Sequence, residues 1–327
     1  MSRARTRATR PAGSGAARRR SRNRLVALAA AVLLAGGTLP AAAAQAAPAG
    51  VGAAHRAPSS AAVPASIRQV PLQGAVNVRD LGGYRTYTGG TVRQGRVFRG
   101  DALSKLTDAD LTVVAGLGLR KAVDFRIPLE VQYDGADRLP AGPAVVARPV
   151  SDLGLFGTLI TVISSGDPAR QEAILGGGRA EAYMRDIYRT FVTDPANRAQ
   201  FAATLRELAD GQGPLLYHCT SGKDRTGWLS YVLLRALGVP VSSAEQDYLA
   251  SNTFRAAYDA RLREGLKQSG RMRNPDLLIP LQEVRQDYLA AATARMEADY
   301  GSFYGYLTQG LGLDLGVLSR LQDRLVR

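Results

Sequence analysis

Between Leu215 and Pro240 the chain runs from three apolar residues, Leu215, Leu216 and Tyr217, straight into a polar, glycine-bearing loop. A helical stretch from Thr226 to Leu237 follows, closed by Gly238 and Pro240. A buried strand that turns directly into a helix N-terminus is the repeating unit of sheets covered by helices. The alternation recurs upstream. Gly95 to Arg99 reads as a strand, Thr107 to Asp110 caps a helix that ends at Gly116 or Gly118, and residues 119–126 and 144–150 read as further strands. Asp194 and Pro195 open a helix leading into 200–209, Ser242 and Glu245 form a capping box for another, and the C-terminal third is almost wholly helical. These spacings predict an α/β fold, a central, mostly parallel sheet flanked by helices with a helical addition at the C-terminal end.

The loop itself is Tyr217, His218, Cys219, Thr220, Ser221, Gly222, Lys223, Asp224, Arg225, Thr226 and Gly227. A loop curling into a helix N-terminus aims several backbone N–H groups at one point and adds the positive end of the helix dipole. Gly222 and Gly227 permit tight curvature. Arg225 can grip two oxygens of a phosphate with its planar fork, as a lysine cannot. In such a field a thiol ionises readily, so Cys219 reads as a thiolate nucleophile facing a bound anion.

Composition removes the competing chemistries. Cys219 is the one cysteine, and His55 and His218 are the two histidines, too few for a thiolate or imidazole zinc site and unable to form a disulfide framework. No metal and no cofactor is expected. The formal charge of +14 suggests a nucleic-acid binder until it is located: nine arginines lie within residues 1–24, which hold no acid. Residues 48–327 keep 33 basic against 28 acidic side chains, an ordinary balance, so no nucleic-acid partner is implied.

That arginine-rich start is followed by an apolar run from Leu25 to Gly37 and small residues through Ala47, the order of an export signal. The run falls short of the ~18–20 residues that span a bilayer, so no stable membrane anchor is expected after cleavage near Ala46. The sequence thus divides into a signal peptide at 1–47, a disordered linker rich in Ala, Pro, Gly and Ser at 48–66, and a catalytic domain at 67–327, with a secreted product. Arg19 and Arg20 leave the twin-arginine and general export routes both open.

His-Cys, five residues, then Arg-Thr-Gly resembles the signature of the protein tyrosine phosphatase superfamily. The fuller string from His218 to Gly227 is similar to its atypical bacterial secreted branch, which acts on phosphotyrosine and often on phosphoserine, phosphothreonine or phosphoinositides. Asn77 to Gly83, Val97 to Leu103, Val123 to Arg126 and Asp247 to Asn252 continue the resemblance in order across most of residues 70–252. It implies a phosphocysteine at Cys219, with Thr220, Ser221, Gly222, Lys223, Asp224 and Arg225 holding the phosphate. It implies that Thr226 steadies the thiolate, while His218, pointing away along its strand, orders the loop. The partners would be phosphorylated proteins or phosphoinositides.

The resemblance leaves the general acid between two aspartates, because the one tryptophan, Trp228, lies after the signature and not in a Trp-Pro-Asp loop. Asp224 ranks first and Asp152 second. Lys223 either contacts substrate or only raises the potential of the loop. Arg79, Asp80, Asp124 and Arg126 are expected to form a floor beneath the loop, pairing with one another or with Arg225. Gly176 to Gly178 reads as a hinge or surface loop, and Tyr300, Phe303, Tyr304 and Tyr306 as packing. Phe254, Tyr258, Arg261 and Arg263 lie where the resemblance implies a helical lid that would shield the thiolate. A catalytically silent phosphate-binding module and a rhodanese-like sulfurtransferase remain as the other classes.

Overall fold

The computed structural model describes residues 67–327; the segments expected from sequence to be an export signal and a linker lie outside the described residues. Six strands form one sheet: β1 (Arg68–Gln69), β2 (Arg79–Asp80), β3 (Val97–Gly100), β4 (Lys121–Asp124), β5 (Ala144–Ala147) and β6 (Leu215–His218). Their spatial order is β1, β2, β3, β6, β4, β5. The first three run antiparallel, and β3, β6, β4 and β5 run parallel. The register brings Gly100 of β3 and Asp124 of β4 to either side of His218. The loop after β6 therefore leaves the middle of the parallel strands at their carboxyl ends, the position where open α/β sheets bind ligands.

Helices cover both faces. Alternate residues of β6 separate into the two cores, with Leu215 and Tyr217 in the larger and Leu216 in the smaller. The smaller core packs against α1 (Asp108–Gly116), whose Thr107 and Asp110 form the capping box read from sequence. The larger lies under α5 (Arg179–Thr193), α6 (Pro195–Asp210), α7 (Arg225–Ala236) and α8 (Val241–Gln268), introduced after α2 (Pro128–Asp134), α3 (Leu155–Ser165) and α4 (Pro168–Leu175). Asp194 caps α6 by accepting from the amides of Ala196 and Asn197. Helices α9 (Gln286–Tyr300) and α10 (Leu315–Leu325) complete the C-terminal addition, α9 packing on α5 and α10 on α6. Among the described residues no helix is long and apolar enough to cross a membrane.

Two expectations are corrected here. Ser242 and Glu245 do not cap α8; the fixed φ of Pro240 starts the helix at Val241, so Ser242 already lies in its first turn. Tyr304 is 54% exposed and packs nothing away, whereas Tyr306 is fully buried against Trp228. Gly176 to Gly178 join α4 to α5, with Gly177 and Gly178 at positive φ.

Candidate active site

The loop from Cys219 to Asp224 is held by its carbonyl groups. Thr220 O accepts from Ala102 N at 3.1 Å, Ser221 O from Asn77 Nδ2 at 3.0 Å and Arg255 Nη1 at 3.4 Å, and Gly222 O from Arg99 Nη2 at 2.8 Å. With each carbonyl turned outward, the N–H groups of the same planar peptides face inward, which is the concave arrangement that binds an anion. Gly222 has φ +65°, and a Cβ there would meet the backbone of Gly100 and Asp101 at 2.5 Å, so glycine is required for both turn and fit.

Cys219 is buried at the base of a cavity whose wall includes Thr220, Ser221, Lys223, Asp224, Arg225, Asp152 and Glu130. Above it the wall becomes apolar, with Leu155, Phe156, Leu159, Ile163, Ile187, Leu262, Leu278 and Leu281. Arg255, Tyr258, Asp259 and Leu262 of α8 close one side, so the helix after Asn252 does overhang the site; Phe254 instead packs on Arg79, and Arg261 and Arg263 are not in the wall.

Arg225 makes a two-pronged pair with Glu130, Nη1 to Oε2 at 2.7 Å and Nη2 to Oε1 at 2.5 Å. Burial alone would raise the Glu130 carboxyl, yet Arg225 and the Thr220 hydroxyl hold it below the usual carboxylate range. Burial likewise opposes the Arg225 charge, and Glu130 and Cys219 reverse that, so the guanidinium stays charged. Glu130 escapes sequence reading because it is 95 residues from its partner; the one local signal is Pro128 opening a short helix. The Thr226 hydroxyl is fully buried and has no hydrogen-bond partner among the described residues, so it does not bond the Cys219 sulfur as the resemblance implies.

His218 faces away from the cavity. Its Nε2 lies 2.8 Å from Asp137 Oδ2, and Arg126 Nη2 donates to both Asp137 and Asp124 at 2.8 Å. Burial would lower the His218 imidazole, but Asp137 raises it above its ordinary value; burial would raise Asp137, but His218 and Arg126 lower it. Asp124, Asp137 and His218 stand close enough to hold a metal ion, yet the Arg126 guanidinium already supplies the cation between the two carboxylates.

The predicted floor is therefore divided. Asp124 pairs with Arg126, as the sequence suggests, but neither pairs with Arg225, whose partner is Glu130. Asp80 faces Arg68 and the amides of Gly82 and Gly95, outside the cavity wall. Arg79 joins Arg99 on Asp247, at 2.9 and 2.5 Å, directly behind the loop.

The two candidate acids differ in how their oxygens are used. Asp152 accepts from Gly154 N at 2.9 Å with one oxygen and Phe156 N at 2.8 Å with the other, capping the start of α3. Asp224 accepts from Tyr188 Oη at 2.9 Å on Oδ1 and from Lys223 Nζ at 2.7 Å on Oδ2. Asp134, also in the wall, is pushed up to about 6 by burial, against the pull of Arg126 and Lys105.

The model of the tyrosine phosphatase family matches residues 70–327. A putative tyrosine-protein phosphatase of Cupriavidus necator is 32% identical over 242 residues, 74% of this chain and 84% of that protein. The triple specificity protein phosphatase PtpB of Mycobacterium tuberculosis is 30% identical over 282 residues, 80% of this chain and 99% of that protein. Among solved structures, TpbA of P. aeruginosa in complex with pTyr aligns with 72% of this chain and 98% of that one, at 15% identity and a TM-score of 0.29. The chain, with its Cys219 loop at the carboxyl ends of the parallel strands, belongs to the tyrosine phosphatase family.

Proposed function

We propose that this phosphatase hydrolyses phosphotyrosine monoesters through a phosphocysteine on Cys219. The observation that carries the reading is that Cys219 and Arg225 line one cavity, on a loop whose carbonyls are bonded to groups behind it. The thiolate attacks phosphorus while the loop amides and Arg225 hold the three non-bridging oxygens. Asp224 protonates the leaving oxygen, because both oxygens of Asp152 are held by the fixed backbone amides of Gly154 and Phe156, whereas one partner of Asp224 is the Lys223 side chain, which can turn to the phosphate. Water then cleaves the phosphocysteine, with Asp224 taking its proton and Cys219 leaving as the thiolate.

The apolar upper wall suits an aromatic leaving group, which supports phosphotyrosine as a substrate. The triple specificity of the mycobacterial relative supports extending the range to phosphoserine, phosphothreonine or phosphoinositides. The charge and apolar pattern of residues 1–47 supports secretion.

Hydrolysis of phosphotyrosine peptide, phosphoserine peptide and phosphatidylinositol phosphates in excess EDTA, beside Cys219→Ser, tests the reading. Activity that survives EDTA and vanishes in the variant is expected, with ³²P trapped on the wild-type protein by acid quench. Binding of phosphate without turnover would make the chain a silent binding module, and sulfur transfer from thiosulfate would make it a rhodanese.

A further inference from the structure

Asp224 stands at the N-cap of α7, where an aspartate ordinarily turns its side chain back onto the first amides of its own helix. It makes no such bond. The carboxylate forgoes a contact worth about 1 kcal/mol and is turned instead toward Tyr188 on α5, 36 residues away in sequence. Tyr188 is fully buried, its ring fixed between Phe191 at 5.1 Å and Tyr288 at 6.0 Å. Its oxygen in turn receives the hydroxyl of Tyr248, also fully buried, at 2.7 Å. A phenol has one proton to give, so the incoming bond from Tyr248 commits the Tyr188 proton to Asp224.

We propose that Tyr188, oriented by Tyr248, is the positioning residue for the proton donor, fixing Asp224 so that Oδ1 always accepts and Oδ2 alone carries the transferred proton. This rests on Asp224 being the acid. Burial, and then the neighbouring Asp224 charge, raise the Tyr188 phenol well above its ordinary value, so it remains a donor across the working pH range. Lys223, the present partner of Oδ2, lines the same cavity; its ammonium exchanges onto the phosphate oxygens and frees Oδ2. In the first step the S–P bond forms, the ester P–O bond breaks, and the leaving oxygen takes the proton from Oδ2. In the second, water forms the new P–O bond, the S–P bond breaks, and the proton of that water returns to Oδ2.

The test uses leaving groups that differ in their need for a proton. Phenyl phosphate requires protonation of the departing oxygen, whereas 2,4-dinitrophenyl phosphate does not, and kcat/KM reports the phosphoryl transfer to Cys219 in both. Tyr188→Phe is expected to lower kcat/KM about tenfold or more for phenyl phosphate and no more than about twofold for the dinitrophenyl ester. Tyr248→Phe shows the same selectivity at about threefold, since Tyr188 keeps its proton but loses its orienting bond. Equal losses for the two esters would make Tyr188 a packing residue and overturn the proposal, as would an undiminished rate with phenyl phosphate. Asp224→Asn separates the layers: a uniform loss there removes Asp224 as the acid, while a selective loss beside a non-selective Tyr188→Phe removes only the positioning role.

Discussion

Two buried arginine clusters flank the nucleophile loop, and they are built differently. In front, Arg225 and Glu130 form a one-to-one, two-pronged pair that opens on the cavity. Behind, Arg79 and Arg99 share the single carboxylate of Asp247, with Asn77, Ser251 and Gly222 O accepting from other donors, while the buried Arg99 Nε has no partner among the described residues. The front pair is neutral and has one face toward the cavity, where the phosphate of the proposed reaction would meet it. The rear cluster keeps an excess positive charge with no route to solvent. It sets the loop's shape and potential and has no ligand to exchange. Identical chemistry, an arginine on a carboxylate, thus lines a cavity on one side of the loop and forms a closed scaffold on the other.

The largest effect should come from the rear. Asp247→Asn strands two buried guanidinium groups and is expected to cost about 3–5 kcal/mol in urea unfolding, with activity per folded molecule far less affected. Glu130→Gln should reverse that balance. A stability loss of about 1–3 kcal/mol should accompany a fall in kcat/KM of at least about tenfold, because Arg225 loses the fork that aims it. Should both variants lose stability and specific activity alike, the two clusters would be a single structural unit. The smallest effect concerns the strand side. His218 is raised in the folded protein, so its pairing stabilises fully below about pH 6.5 and is lost as pH rises through the folded value; Asp137 is depressed, and its share is lost only as pH falls below about 4. The Tm difference between wild type and Asp137→Asn should therefore be widest between about pH 4 and 6.5 and narrow toward alkaline pH.

The sequence makes the front of the site legible because strand, loop and helix follow one another without interruption, so the residues that surround the anion are neighbours in the chain. The α/β alternation and the caps at Thr107 and Asp194 are local for the same reason. What sequence could not show are the groups that arrive from elsewhere. Glu130 comes from α2, Arg255 from α8 and Tyr188 from α5, each 34 or more residues from the loop atom it contacts. Asp152 reads as an acid because it follows a strand; its actual bonds, to the amides of Gly154 and Phe156, depend on a turn at Leu153 with φ +54° that no pattern announces. Asp80 was misplaced because only strand pairing reveals which way its side chain projects.

Helix α8 spans 28 residues, about 42 Å, and is clamped near its start, where Asp247 is locked to Arg79 and Arg99. The stretch over the cavity, from Arg255 to Leu262, lies about 12 to 22 Å beyond that clamp. Beyond it Leu266 is fully buried and Arg263 meets Gln282, so the helix is held on both sides of that stretch. A span supported at both ends moves little, and the side chains of Arg255, Tyr258 and Leu262 therefore form a fixed wall that sets what the cavity can admit.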